Sequence, residues 1–145
     1  MMRFKFMIFF MVLVMTNPVN AAKLKLPPCL NSPNCVSSQA NPLDRRHYIA
    51  PFVITGTPEA AWLALRTILK KQDRTVITHE TDVTLHAEAI SLVFSFVDDI
   101  DIILDAEARL LHIRSASRVG HSDFGVNRRR IEALHKQLQK ANVVE

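Results

Sequence analysis

The sequence predicts an α+β domain: an antiparallel sheet of about five strands with two helices packed on one face, in the order β-α-β-β-β-β-α. Three observations carry that prediction. Apolar residues recur at helical spacing after Thr57 and again near the C-terminus. Between those segments, from Thr75 to Ser117, the period changes to that of strands. The polar breaks inside this stretch are short, whereas a parallel return needs a crossover of about a dozen residues or more, so neighbouring strands must run antiparallel.

The beginning of the chain is set apart from this domain. Arg3 and Lys5 precede an unbroken apolar run from Met7 to Met15, and Val19-Asn20-Ala21 places small residues where a signal peptidase reads them. Cleavage is expected after Ala21. The run is far shorter than the roughly 20 residues that cross a bilayer, so no membrane span is expected in the mature chain. Leu26-Pro27-Pro28 in front of Cys29 lacks the small residues of a lipoprotein signal, which speaks against lipid attachment. The expected location is periplasmic or secreted. The expected organisation is a signal peptide over 1–21, a Pro-rich, disulfide-pinned arm over 22–46 and the α+β domain over 47–145. Removing 21 of 145 residues leaves 124, enough for one modest core. Two of 18 basic residues go with the leader, so 16 face 14 acidic ones and the formal charge falls from +4 to +2. A charge this small gives no general case for nucleic-acid binding.

Taken in order, the arm comes first. Pro27, Pro28, Pro33 and Pro42 forbid a regular helix or a central strand there. Cys29 and Cys35 lie close together in an exported chain, which favours a disulfide closing a small loop; a metal half-site would need a second Cys pair or a nearby histidine. Regular structure begins at about His47, where Tyr48 to Ile54 is rich in β-formers, although Pro51 points to an edge strand. Thr57 then caps a helix, Pro58 takes its first turn and Glu59 suits its positive end. Ala61, Trp62, Leu65, Ile68 and Leu69 form the buried stripe of that helix. Strands are expected over Thr75–His79, about Val83–Ile90, Leu92–Val97, Ile100–Leu104 and Leu110–Ser117, with one strand of the sheet split between two of these segments. Leu92, Phe94 and Phe96 would mark one face of their strand, and Leu111, Ile113, Ser115 and Ser117 one face of theirs. The last helix should start near Ser122 or Asp123 and bury Phe124, Ile131, Leu134, Leu138 and Ala141.

Candidate chemistry concentrates between Arg114 and Arg130, which holds two of the three glycines and the arginines Arg114, Arg118, Arg128, Arg129 and Arg130. His121-Ser122-Asp123 has the residue types of a hydrolytic triad, but adjacent residues in a turn point apart, and Gly120 to Gly125 is one residue too long for a G-x-S-x-G elbow. A Ser or Asp capping the next helix explains the pair, and no catalytic residues are assigned. Asp98, Asp99 and Asp101 offer carboxylates to a cation, yet the run lacks the glycine and further ligands of a calcium loop, and neighbours on a strand face opposite ways. No metal and no cofactor is expected; Asp105 and Glu107 read as solvated turn residues. Arg114 and Arg118, four apart, would share a face, while the other three arginines occupy the first part of the last helix. Guanidinium groups beside exposed amides suit a phosphate or carboxylate. The competing reading is a structural network, in which Arg118 and Arg130 join Asp98, Asp99, Asp123 and Asn127 in a buried or half-buried cluster. Arg45, Arg46 and His47 are candidates to extend either arrangement.

Ser32-Pro-Asn-Cys-Val-Ser-Ser38 and Ser117-Arg-Val-Gly-His-Ser-Asp-Phe-Gly-Val-Asn-Arg-Arg-Arg-Ile131, together with Asp44 to His47 and Asp98-Asp99, resemble the bacterial and plastid family catalogued as domain of unknown function 1499. The resemblance covers essentially all of the mature chain. It implies a compact exported or organelle-targeted domain, and it implies no activity and no functional residues. The functional expectation is a non-enzymatic periplasmic module that binds an anionic small molecule, lipid headgroup or protein partner through the arginine-rich face. The alternative is an envelope hydrolase or transferase using polar residues of Ser117 to Asp123.

Overall fold

Thr57 begins the first helix as its chemistry requires. Its hydroxyl accepts the N–H of Ala60 at 3.2 Å, Pro58 sits in the first turn, and α1 runs Pro58–Lys71. Ala61, Trp62, Leu65 and Leu69 are buried on one side of it. The computed structural model describes residues 24–92 and 94–145; the signal peptide expected over 1–21 lies outside them. The other elements are β1 (Cys35–Ser37), β2 (Phe52–Val53), β3 (Thr75–Glu80), β4 (Thr84–Ile90), β5 (Val97–Asp105), β6 (Leu110–Ser117) and α2 (Val126–Lys140).

These strands make a six-stranded antiparallel sheet in the order β1-β6-β5-β4-β3, with β2 also on β6. The fold is α+β. Strand alternation sends Leu85, Ala87, Ala89, Ile100, Ile102, Leu104, Leu111 and Ile113 to one face, where they join Leu65, Leu69, Ile131, Leu134 and Leu138 from the two helices in a single core. Both helices therefore cover that face. The other face is crossed by the arm, where Leu26 packs on Ile103.

Several elements differ from the sequence expectation. Leu92–Val97 is not a strand: Ser91 N–H donates to the Phe96 carbonyl and Phe96 N–H to the Ser91 hydroxyl, which closes a turn. Ile90 already pairs with Val97, so the intervening residues have no place in the sheet, and β5 takes in Ile100–Leu104 as one continuous strand. Leu92, Phe94 and Phe96 are exposed instead of sharing a packed face. The arm contributes β1, because residues 35–37 lie between the prolines and can pair with the edge of β6. Around Pro51 the expected strand shrinks to Phe52–Val53. Helix α2 starts at Val126, and neither Phe124 nor Ala141 is buried. The cause lies before the helix, where Phe124 and Gly125 both take positive φ (53° and 76°) and turn the chain, so Phe124 precedes the helical stripe. Asp105 is buried, not solvated, and accepts the N–H of Ala108 at 2.9 Å.

Cys29 and Cys35 are joined in a disulfide. The loop it closes carries Ser32, whose carbonyl faces His47 Nε2 at 3.0 Å, while His47 Nδ1 lies 2.6 Å from Asp44. The hydrogen bond to His47, backbone amides and the histidine's charge outweigh burial and hold the Asp44 carboxyl below its ordinary value. Closing so short a loop limits the unfolded chain, a gain of about 2 kcal/mol. Reducing the bond should lower the unfolding free energy by that amount in equilibrium denaturation; an unchanged free energy would mean that the arm is held without it.

Candidate functional site

Alternation along β5 divides the acidic run between the two faces of the sheet. Asp98 faces the helices, and Asp99 and Asp101 face the other way. Arg114 and Arg118 share the face of Asp99 and Asp101. Arg114 Nη1 donates to Asp101 at 2.9 Å, Arg118 Nη2 donates to Asp99 at 2.7 Å and also to Glu88, and His86 Nδ1 lies 2.7 Å from Asp101. The bonds to Asp99, then Glu88, hold the Arg118 proton more firmly than usual. His86, Glu88 and Asp99 present possible metal ligands within 4.8 Å of one another, but the Arg118 guanidinium already supplies the positive charge between Glu88 and Asp99.

On the helix face a second network closes around Asn127, which is fully buried. Its side-chain oxygen accepts from Ser115 Oγ at 2.5 Å and Arg130 Nη1 at 2.7 Å; because arginine only donates, this fixes which end of the amide faces it. Its Nδ2 is shared among the Asn34 carbonyl (3.1 Å), Ser117 Oγ (2.9 Å) and Asp123 Oδ2 (2.8 Å). Arg130 Nη2 reaches Asp98 at 2.6 Å, with the two side chains 17% and 8% exposed. Asp123 also accepts the N–H groups of Gly125 and Asn127, so it caps α2 from outside the helix. Partial burial pushes the Asp123 carboxyl up, but bonds from Asn127 and Gly125 outweigh that and leave it below its ordinary value. The expected single cluster of Arg118 and Arg130 is thus two clusters, and the Arg118 side chain is 43% exposed where that of Arg130 is 17% exposed.

The remaining candidates lie apart. Arg128 donates to the carbonyls of Arg46 and Tyr48 at 3.1 and 2.9 Å, and Arg129 to that of Phe124 at 2.6 Å; neither pairs with a carboxylate among the described residues. Neither Ser117 nor Asp123 makes a hydrogen bond with His121 among the described residues, and Ser117 Oγ is taken by Asn127.

Beside the buried network opens a groove of about 350 Å³ between the β4–β5 connection and the turn before α2. Leu92, Phe94, Phe96, Val119, Phe124 and Val126 form its walls, and Asp98, Ser117 and Asp123 line it as well. Phe94 and Phe124 are 72% and 87% exposed. Ser95 and Phe124, one on each side, hold positive φ of 53°, a conformation that costs a non-glycine residue on the order of 1 kcal/mol or more. From the sequence, Leu92, Phe94, Phe96 and Phe124 are expected on packed faces. The signal that separates them is turn chemistry: Ser91 precedes and Ser95 interrupts Leu92 to Phe96, and Phe124 lies between Asp123 and Gly125.

The two segments that carry the sequence resemblance meet at this place. Asn34, from the arm, receives the N–H of Ser117 on its carbonyl and donates its side-chain amide to the Gly120 carbonyl at 2.7 Å. A family model described as "Protein of unknown function (DUF1499)" matches residues 25–138. The chain belongs to the DUF1499 family. No curated protein and no solved structure matches it. Within this DUF1499 chain, no helix of the described residues is long and apolar enough to cross a membrane.

The two clusters predict opposite responses to mutation. Arg130→Ala leaves Asp98 buried without its partner and should destabilise the protein by roughly 3 kcal/mol in denaturant unfolding. Arg118→Ala, on the exposed face, should leave the midpoint nearly unchanged. The reverse order would refute the division made here.

Proposed function

We propose that this DUF1499 chain is an exported, non-enzymatic binding module of the cell envelope whose ligand is amphipathic. The apolar part of the ligand lies between Phe94 and Phe124, and its anionic group lies toward Arg129. The observation that carries this reading is the groove itself: apolar side chains on two turns stand exposed above a polar base that is already satisfied internally. An exposed apolar surface of this kind marks a place of contact. The export expectation supports an envelope location, and the occupied Ser117 hydroxyl supports binding over nucleophilic chemistry. Arg114, Arg118 and Arg130 face carboxylates, so they are structural in this reading. Of the five arginines, Arg129 and, beyond its backbone contacts, Arg128 have no carboxylate partner among the described residues.

The test is a thermal-shift titration with monomeric lysophosphatidylglycerol. A ligand selective for the native state at about 100 times its Kd stabilises by roughly 2.7 kcal/mol, so a saturable rise in Tm is expected. Phe124→Ala should abolish the rise while leaving the unliganded Tm in place, because the ring is exposed. A rise that survives Phe124→Ala, or no rise at all, would remove the groove from consideration.

A further inference from the structure

On the face of the sheet away from the helices, β4 and β5 bring four polar side chains together. Register pairs His86 with Asp101 and Glu88 with Asp99, and residues two apart on a strand share a face. From β6, Arg114 meets Asp101, and Arg118, just past the end of that strand, meets Asp99 and Glu88. His86 is only half satisfied by these contacts. Its Nδ1 lies 2.7 Å from Asp101 Oδ1, and an ionised carboxylate only accepts, so Nδ1 carries the proton. The neutral ring then turns its Nε2 lone pair toward Asp99 Oδ1, 3.4 Å away, and Nε2 makes no hydrogen bond among the described residues.

A lone pair and a carboxylate oxygen repel unless a cation lies between them. We infer that His86 Nε2, Asp99 and Glu88 form a site for a divalent transition cation of the zinc class, and that Arg118 closes the site in the ion's absence. A nitrogen ligand beside carboxylates selects such an ion over calcium or magnesium, which take oxygen. Bonds of about 2.1 Å in a tetrahedral array set neighbouring ligand atoms about 3.4 Å apart. That is the separation of His86 Nε2 from Asp99, and a ligand atom of Glu88 lies within 4.8 Å of both. The bond from Nδ1 to Asp101 is the one that orients a metal-binding imidazole and makes its other nitrogen more basic, and Arg114 holds Asp101 in place for it. Both cysteines are joined in the disulfide, so no thiolate competes for the ion.

Arg118 is the competitor. Its Nη2 donates to Asp99 and to Glu88, the two carboxylates that the ion takes. Its side chain is more exposed than those of Arg114, His86, Glu88 and Asp99, so it swings into solvent while Arg114 stays on Asp101. The other cation nearby, Lys25, lines a cavity with His86 and Asp101, not with Glu88 or Asp99. The network around Asn127 and Arg130 lies across the sheet, so this inference stands apart from the ligand proposed for the groove.

The experiment titrates the full chain, purified without a histidine tag, with Zn2+ by calorimetry and follows the ring nitrogens of His86 by NMR. One ion should bind per chain, and the Nε2 resonance should move while Nδ1 keeps its proton. His86→Ala should weaken binding at least about tenfold. Arg118→Gln should tighten it about fivefold, because the competitor goes and all three ligands remain. The NMR titration and Arg118→Gln judge the site even where His86→Ala folds poorly. No binding, binding that leaves His86 unmoved and uses others of the six histidines, displacement by an equal concentration of Ca2+, or weaker binding in Arg118→Gln would each overturn the inference.

Discussion

A fully buried amide has to find partners for every polar atom, and Asn127 finds them in three separate segments. The arm supplies the Asn34 carbonyl, β6 and its exit supply Ser115 and Ser117, and the turn before α2 supplies Asp123. Satisfying one side chain therefore fixes where α2 starts, where the sheet ends and where the arm lies. The turn at Phe124 and Gly125 follows from the same constraint. With Asp123 directed inward onto Asn127, the chain must reverse within two residues, and the phenylalanine ring is carried outward.

The same logic separates scaffold from surface. Most of the charge that looks functional in the sequence is engaged internally, on one face of the sheet by Asp99, Asp101 and Glu88, and on the other by Asp98. Paired groups of this kind position elements and contribute little to recognition. What is left facing outward at the end of the sheet is apolar, and the cations bordering it have no acidic partners among the described residues. Binding at the groove belongs to the turns, and stability to the arginines that face the carboxylates.

The helices and the antiparallel order were legible because they depend on local chemistry: Thr57 and Pro58 mark a start, Leu65 and Leu69 mark a face, and short breaks force antiparallel neighbours. The arm strand was not, since Cys35–Ser37 becomes a strand only because β6 offers it an edge. Leu92, Phe94 and Phe96 alternate as a strand should, and nothing in the alternation reveals that Ile90 and Val97 close the sheet on either side of them. For the arginines, residue types pointed to pairing with Asp98 and Asp99, but which partner each one meets depends on the phase of β5. A shift of one residue along a strand exchanges its faces, and that phase is set by its neighbours.

The claim that one buried amide couples the arm, the sheet and α2 can be read by native-state hydrogen exchange on Asn127→Ala. The amide of Ser117 donates to the Asn34 carbonyl across the arm, and that of Arg129 donates to Gly125 in the first turn of α2. If Asn127 couples the segments, both amides lose protection together and by similar free energies. If Arg129 alone opens while Ser117 keeps its wild-type protection, the arm and the sheet are held independently of Asn127 and the account is wrong.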